Sequence, residues 1–380
     1  MSPQQMLSAN TCRPPMAPWP LLAVVALLVP PVSLDGLRPM WWELPGPAAA
    51  VILGIGAALA GRWARTALVE GLLSLLSLVA LGVVPLMLMD QGYSLARGAG
   101  PVWLVVLGAM GMTWHAMAVL ANMEEHALFR RILVPTLFGA ALLYLWEVGV
   151  RGFEVPSVLL PAPHAVAAAL LSHAGTLWAD FQQTVLQAVI RGYVAGCLSG
   201  FLLAIIADRV PFLARGLLPL ANLASAIPIV GIAPIMVMWF GFDWQSKAAV
   251  VVIMTFFPML VNTLAGLQSA EKIQLDLMRS YGVGYWRTLF HLRLPAALPF
   301  LFNGLKINST LALIGAIVAE FFGTPIVGMG FRISSEVARM NVDVVWATIT
   351  VAAVVGSGAY GLLSLAERRA TFWHPSFRSK

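Results

Sequence analysis

The sequence predicts an all-α polytopic membrane protein with about ten transmembrane helices. Of its 380 residues, 59% are hydrophobic and only 11% are Asp, Glu, Lys or Arg, whereas ordinary globular domains carry about 25% charge. So few charged side chains cannot cover the surface of a water-soluble protein of this size. The composition therefore excludes a soluble globular protein.

Ten apolar stretches meet or approach the length of a spanning helix, which needs about 20 residues because ~30 Å of hydrocarbon is crossed at ~1.5 Å per residue. They lie at residues 19 to 34, 46 to 61, 67 to 89, 101 to 121, 132 to 150, 184 to 207, 217 to 240, 247 to 266, 299 to 322 and 343 to 365. The first two are short, and one re-entrant hairpin is the alternative to two spans. An uncleaved first span is favoured over a signal peptide, since no clear small-x-small cleavage site follows it.

The basic residues predict the orientation, because Lys and Arg gather in cytoplasmic loops. With a cytoplasmic N-terminus, most of the 23 Lys and Arg residues fall on the cytoplasmic side, and both termini are predicted to be cytoplasmic. The net charge of +6 does not indicate nucleic-acid binding, because the basic residues stand in ones and twos between apolar runs.

A polar stretch, NMEEHALFRR, predicts a domain boundary near residue 130. The predicted organisation is a cytoplasmic leader (1–18), an N-terminal extension with about four transmembrane helices (19–130), a six-helix core (131–366) and a cytoplasmic tail (367–380). Within the core, residues 269–298 form a loop much longer than a connector requires.

This loop has the pattern of two short amphipathic helices. Apolar residues repeat at helical spacing before Gly282 and after Gly284, and Pro295 stands near the next span. Such a pair of helices either lies on anionic lipid or forms a rigid knob that enters a groove on a cytoplasmic partner.

The same loop resembles the signature of the membrane-spanning permease subunits of binding-protein-dependent ABC importers, which reads E-A-A, three residues, G, nine residues, I-x-L-P. The matching positions, in order, are Asp276, Leu277, Met278, Gly282, Leu292, Leu294 and Pro295, and Arg279 and Gly284 belong to the same segment. The spacings agree, but the acid is shortened to Asp and both alanines are replaced by larger side chains. AIPIVGIAPIMVMWFGF, FFPMLVNTLAGL and VAEFFGTPIVGMGF are similar to the nitrate, sulfonate and taurine branch of these permeases, and the resemblance covers about residues 132 to 380.

The resemblance implies a six-helix type I ABC importer permease core, preceded here by about four extra helices. It implies that two ABC ATPase subunits bind the Gly282 loops, that a solute-binding protein delivers a small polar solute (nitrate, a sulfonate or taurine, or a pyrimidine-type precursor), and that a second permease copy completes a homodimer in a bacterial inner membrane. ATP and Mg would then be bound by the partner ATPase, and this chain itself would bind no cofactor. Independently, no lysine stands in a G-x-x-x-x-G-K-[ST] context, so if transport is driven by ATP, another polypeptide must hydrolyse it, and this chain is expected to be a transport subunit and not an enzyme.

Five residues inside or beside the spans are candidates for the solute pathway: Arg191, Pro228, Asn262, Asn308 and Glu320. Each has an alternative: Arg191 could snorkel outward, Pro228 could mark only a kink, the asparagines could bond between helices, and Glu320 could hold the following loop. Lys306 is expected to meet lipid phosphate rather than to line the pathway.

Gly192, Gly196 and Gly200 repeat every four residues and strip one face of the sixth span. Packing within one copy is the favoured interpretation, and a dimer seam is the alternative. No histidine has metal-ligand spacing, and neither G-x-S-x-G nor H-E-x-x-H occurs, so no metal and no catalytic residue are predicted.

Two other functions remain open. A secondary transporter driven by an ion gradient would need paired acids near mid-bilayer, whereas the acids within the spans lie toward span ends. A membrane scaffold whose loop merely recruits a cytoplasmic protein is the second alternative.

Overall fold

The computed structural model describes residues 19–32, 39–64, 66–96, 98–122, 127–210, 212–213, 215–217, 219–220, 228–323 and 326–373. Within these residues the secondary structure is helical, without a β-strand. The predicted leader (1–18) and the last seven residues of the predicted tail (374–380) lie outside them. The chain divides into two compact units, residues 1–165 and 166–380.

Five α-helices lie within the described residues of the first unit, and they are numbered in chain order. They are α1 (Trp19–Leu27), α2 (Pro45–Arg62), α3 (Ala67–Asp90), α4 (Gly100–Ala121) and α5 (Ala127–Gly152). Buried apolar side chains from α1 to α4 form a continuous core. The indole of Trp41 is buried in this core, and its Nε1 donates to the carbonyl oxygens of Ala26 and Val29 at 3.0 and 2.9 Å. Ala26 lies in the last turn of α1 and Val29 lies two residues beyond it, where carbonyl groups lack the donors of a continuing helix.

The second unit is built around α9. Its helices are α6 (Pro163–Ser172, which begins just before the division), α7 (Ala174–Arg209), α8 (Ile229–Phe240), α9 (Trp244–Leu267), α10 (Lys272–Ser280), α11 (Tyr285–Glu320), α12 (Met329–Ala338) and α13 (Val342–Ala370). Helix α9 packs against both α7 and α11. Helices α7 and α11 each contain a stretch of π-helix, at Gln182–Val189 and Leu289–Arg293, a local form that is common at functional sites.

The glycine face of α7 lies against α9, within one copy of the chain. A Cβ built on Gly192 would stand 2.6 Å from the Val251 Cβ, and one on Gly200 would stand 2.5 Å from the Phe256 carbonyl oxygen. A Cβ on Gly196 would overlap the Thr255 hydroxyl. The two helix backbones therefore approach as closely as only glycine allows.

Eight of the described helices are long and apolar enough to cross a membrane: α2, α3, α4, α5, α7, α9, α11 and α13. This confirms the all-α polytopic fold class. Helices also stand at the first and seventh predicted spans, but α1 has 9 residues and α8 has 12 in the described part of the chain. At ~1.5 Å per residue these described lengths are shorter than ~30 Å of hydrocarbon, and residues 33–34 and 221–227 of those two stretches lie outside the described residues.

The division between the two units falls later than the boundary predicted near residue 130. Helix α5 accounts for the difference, because it packs against α3 and α4. At its end, Arg151 binds Asp90 at 2.7 Å and Phe153 stacks on Trp103 with ring centroids 4.7 Å apart. By its contacts, α5 belongs to the first compact unit. The domain boundary near residue 130 stays a prediction.

Candidate functional site

A tight glycine turn joins α10 to α11. Gly282 has φ of +68°, and its N–H donates to the Arg279 carbonyl at 2.9 Å, while the Val283 N–H donates to the Met278 carbonyl at 3.0 Å. These bonds satisfy carbonyls at the end of α10, and the left-handed conformation favours glycine because it has no Cβ. Gly284, with φ of −69°, is the N-cap of α11. The glycine turn and its two flanking helices are where the sequence places them.

The segment around this turn exposes large apolar side chains. Helix α10 has no buried residue. The exposed fractions are 76% for Ile273, 57% for Leu277 and 77% for Tyr281, and on α11 they are 60% for Trp286 and 57% for Phe290. Apolar exposure concentrated in one short segment marks a surface that binds a protein or a membrane. We call residues 272–290 the knob.

The other signature residues divide between the knob surface and its base. Asp276 and Arg279 form an exposed ion pair at 3.1 Å, and Met278 is half-buried. At the base, Leu292, Leu294 and Pro295 are half-buried.

The base of the knob is fixed to the second unit. Leu289 is fully buried in an apolar cluster with Leu267 and Ala297. Arg293 forms a bidentate ion pair with Asp208 at 2.6 and 2.7 Å. The knob therefore combines an exposed tip with an anchored base.

A second polar cluster follows α11, at its opposite end. Glu320 is 2% exposed, and its carboxylate accepts hydrogen bonds from the Thr184 hydroxyl at 2.8 Å and from the Gly330 N–H at 2.6 Å. Thr184 in turn accepts from the Met329 N–H at 2.8 Å. Glu320 thus holds the first turn of α12, at the end of the loop that follows its own helix, which agrees with one of the two roles that the sequence left open.

Asp180 extends this cluster on α7. It is fully buried and accepts from the Gly328 N–H at 2.8 Å and from Arg332 Nε at 2.8 Å. The ion pair with Asp180 raises the pKa of Arg332. We call Asp180, Thr184, Glu320 and residues 328–332 the anchor cluster.

Glu336 on α12 lies beside the anchor cluster. Burial alone would raise the pKa of its carboxyl, but the amide of Asn341 at 2.8 Å, together with Arg339 and Arg332, holds that pKa below its ordinary value. The three partners all favour the ionised form.

The other pathway candidates lie at separate places in the second unit. Arg191 is exposed, with its guanidinium 4.2 Å from the ring centroid of Trp244, a cation–π contact. Pro228 is exposed directly before α8. Asn262 is half-buried, and its Oδ1 accepts from the Asn303 amide at 3.2 Å.

Asn308 is the most buried candidate. It is fully buried, and its Nδ2 donates to the Thr255 carbonyl at 2.8 Å and lies 3.3 Å from Cys197 Sγ. Its Oδ1 has no hydrogen-bond partner. Asn308 therefore links α11 to α7 and α9. The pathway roles of all these residues remain predictions.

Several buried or half-buried charged residues were not singled out from the sequence, and four of them are Asp180, Asp208, Lys247 and Glu367. Asp180 and Asp208 act as described above. Lys247 is 1% exposed and donates to the carbonyl oxygens of Phe242 and Asp243. Glu367 binds Lys306 at 2.7 Å, and the contact of Lys306 with lipid phosphate stays a prediction. All four stand within two turns of a helix end, a position that would have pointed to helix-end hydrogen bonding.

Within the described ranges, no group of three or more His, Cys, Asp or Glu residues is placed to hold a metal ion. Cys12, His126 and His374 lie outside those ranges.

The chain matches the family described as binding-protein-dependent transport system inner membrane component over residues 196–372. It is also 34% identical over 221 residues to a probable ABC transporter permease protein of Haemophilus influenzae, an alignment that covers 58% of this chain and 89% of that protein. The chain belongs to the permease family of binding-protein-dependent ABC importers.

Two further relatives of this importer permease have names that specify a solute. A formylaminopyrimidine transport permease protein of Halalkalibacterium halodurans is 31% identical, covering 59% of this chain and 89% of its own length. A riboflavin transport system permease protein of Chloroflexus aurantiacus is 30% identical, covering 62% and 88%. Permeases named for sulfonates and taurine are also similar.

The family assignment confirms the resemblance drawn from the loop signature. The protein is a transport permease with several membrane-spanning helices and not an enzyme. The family match runs from the middle of α7 to the end of α13, so the knob and the loop of the anchor cluster (328–332) both lie inside it.

Proposed function

We propose that the knob is the docking site for an ABC ATPase and that this permease imports a small polar solute when that ATPase hydrolyses ATP. The observation that carries the proposal is the exposed apolar tip of the knob, with Ile273, Leu277 and Tyr281 all more than half exposed. Burying such side chains in a groove on a protein is favourable by about 25 cal/mol per Å² of apolar surface removed from water. Two ATPase subunits would each bind the knob of one permease copy, and ATP and Mg would be bound by those subunits.

The docking would be transmitted through α11. This helix runs from Tyr285 at the base of the knob to Glu320 in the anchor cluster without a break in its helical path. A movement of the knob would therefore tilt α11 about its anchored far end. Two permease copies, arranged as a homodimer, would alternate in this way between inward-open and outward-open states around one solute pathway.

The knob, both termini and the ATPase would share the cytoplasmic side of a bacterial inner membrane. The distribution of Lys and Arg along the sequence supports this orientation. A solute-binding protein would then deliver the solute at the opposite side, where the anchor cluster lies.

We propose a pyrimidine-type precursor as the first solute to test, with taurine, another sulfonate or nitrate as the alternatives. The relatives whose names specify formylaminopyrimidine and riboflavin are 31% and 30% identical, and both are nitrogen heterocycle transporters by name. The taurine permease is 28% identical. The chemical range of these names supports a small polar solute rather than a peptide or a lipid.

Uptake into proteoliposomes tests the proposal. The permease is reconstituted with its ATPase and solute-binding protein, and radiolabelled formylaminopyrimidine, taurine and nitrate are offered in turn. We expect one of them to accumulate only with Mg-ATP on the ATPase side, and to do so in the presence of ionophores. Accumulation that needs no ATP and is abolished by ionophores would establish the gradient-driven alternative instead.

The scaffold alternative is tested by the same vesicles. A scaffold would retain the ATPase on the membrane but would accumulate none of the three solutes. That result, obtained with a binding protein shown to bind the solute offered, would contradict the transport proposal.

A further inference from the structure

Asp208, at the last turn of α7, holds the base of the knob through three hydrogen bonds. Arg293 donates from Nη1 and Nη2 at 2.7 and 2.6 Å, and the Tyr285 hydroxyl donates at 2.8 Å. Both donors belong to α11. We call Asp208, Tyr285 and Arg293 the clasp.

The clasp joins three helices. The remaining guanidinium donor of Arg293, Nε, binds the carbonyl oxygen of Leu267, the last residue of α9, at 2.9 Å. The guanidinium of Arg209 stands 4.6 Å from the centroid of the Tyr285 ring. The ends of α7 and α9 are thus both tied to the first turns of α11.

The clasp is sheltered from water. The side chain of Asp208 is 6% exposed and that of Arg293 is 16% exposed. In contrast, the ion pair between Asp276 and Arg279 on α10 has side chains that are 68% and 79% exposed. A bidentate, sheltered ion pair fixes geometry far better than an exposed one, which loses most of its strength to solvent.

Helix α10 is attached to the spans only indirectly in the described structure. None of its residues is buried, and its side-chain hydrogen bonds from Arg279 and Ser280 stay within the helix. Along the chain, a displacement of α10 reaches the spans in two directions: through residues 268–271 into α9, and through the Gly282 turn to Tyr285 and Arg293. At that point the covalent chain leads into α11 alone, whereas the clasp leads into α7.

We propose that Asp208 is a positioning residue that makes α7 follow the knob when the ATPase moves it. The inference rests on the proposed function of the knob. With the clasp intact, the ends of α7, α9 and α11 move as one body. Without it, α9 and α11 still follow the knob, and α7 is left with only its packing against α9 to move it.

The test uses the full chain bound to its ATPase partner in lipid nanodiscs, with Mg-ATP as the only ligand added. Amide hydrogen exchange is measured at residues 203–210 of α7 and at residues 272–281, with and without Mg-ATP. In the wild type we expect Mg-ATP to change exchange at both places. In Asp208→Asn we expect the change at 272–281 to persist and the change at 203–210 to fall by about tenfold, since a hydrogen bond to a charged group contributes ~1.5 kcal/mol or more.

Three further variants separate positioning from general destabilisation. Tyr285→Phe removes one donor and should reduce the response at 203–210 by less than Asp208→Asn does. The double variant Asp208→Arg with Arg293→Asp restores an ion pair and should recover part of the response. Glu367→Gln breaks the half-buried ion pair with Lys306, whose side chains are 12% and 15% exposed, and should leave the response unchanged.

The outcomes distinguish this inference from the proposed function. If Mg-ATP leaves exchange at 272–281 unchanged in the wild type, ATPase coupling through the knob is wrong and the inference falls with it. If the wild type responds at both places and Asp208→Asn still responds fully at 203–210, the clasp alone is wrong. An equal loss in Glu367→Gln would also overturn it, because any broken ion pair would then have the same effect.

Discussion

The two connections that flank α11 are built in opposite ways. After α11, the anchor cluster buries its charged groups: Asp180 is fully buried and Glu320 is 2% exposed. These carboxylates bind backbone N–H groups of the loop directly. Before α11, the knob has a helix with no buried residue and a tip of exposed apolar side chains.

The contrast indicates at which end of α11 the side chains find all their partners within one chain. A buried carboxylate whose oxygens are all hydrogen bonded has no need of a partner, and removing any member leaves an unsatisfied group. An exposed apolar helix is satisfied only when something covers it. We therefore expect changes at the anchor cluster to affect stability, and changes at the knob to affect coupling.

Breaking the anchor cluster should have the largest effect on stability. Glu320→Ala removes the acceptor for Thr184 and for the Gly330 N–H, and should lower the free energy of unfolding by about 3 kcal/mol or more, since a hydrogen bond to a charged group contributes ~1.5–3 kcal/mol. Unfolding in mixed micelles measures it. Glu320→Gln keeps one carbonyl acceptor and should lose about half as much. A loss below ~0.5 kcal/mol in Glu320→Ala would contradict this account of the anchor.

The second-largest effect on stability should come from disturbing the packing of α7 against α9. Gly200→Ala would place a Cβ 2.5 Å from the Phe256 carbonyl oxygen and should cost about 1–3 kcal/mol. Gly358→Ala on α13 is the matched control, because nothing lies within 4 Å of its Cβ. The control should be neutral or stabilising by ~0.5–1 kcal/mol, as is usual when alanine replaces a helical glycine. Equal effects of the two variants would refute close packing of α7 on α9.

The glycine turn of the knob should affect coupling more than stability. Gly282→Ala forces a left-handed conformation on alanine, a strain of about 1–2 kcal/mol that the turn relieves by rearranging. Because no residue of α10 is buried, we expect global unfolding to change little, while the ATP hydrolysed per solute imported rises.

Gly284→Ala is the control for that experiment. Its φ of −69° suits alanine, so its coupling should match the wild type. The bulkier Gly282→Trp should uncouple the complex without removing the permease from the membrane. Wild-type coupling in Gly282→Trp would count against a role of the turn.

The smallest expected effect is a local dependence on pH beside the anchor cluster. The folded-state pKa of Glu336 lies below its ordinary value of 4.5, so its ionised form stabilises α12 above that pH, and the stabilisation is lost as the pH falls through the lowered pKa. Amide exchange of residues 336–341, compared between about pH 6 and pH 3, should show extra opening in the wild type that Glu336→Gln lacks. The same acid response in both would mean that Glu336 is not its source.

Most of the fold could be predicted from the sequence because hydrophobic length alone determines a spanning helix. All ten predicted stretches contain a helix, and within the described residues α1 and α8 cover only part of theirs. Hydropathy cannot show where a helix ends inside an apolar run. Pro228, the N-cap of α8, lies inside the apolar stretch, and residues 221–227 before it lie outside the described residues.

The sequence predicted the knob, but it did not predict the clasp or the anchor cluster. Glycine positions and apolar spacing are local signals, and they identified the turn at Gly282. The clasp and the anchor cluster depend on ion pairs between residues far apart in the sequence: Asp208 and Arg293 are 85 residues apart, and Asp180 and Arg332 are 152 residues apart. No local pattern specifies which acid meets which base, so Asp208 and Asp180 were overlooked.

Site-specific photocrosslinking tests the central claim most directly. A photoreactive residue is placed at Leu277 on the knob or at Ile326 in the loop after α11, which are 57% and 80% exposed. In membranes that contain the assembled complex, we expect Leu277 to crosslink to the ATPase and Ile326 not to. An ATPase crosslink from Ile326, or none from Leu277, would contradict the assignment of the knob as the docking site.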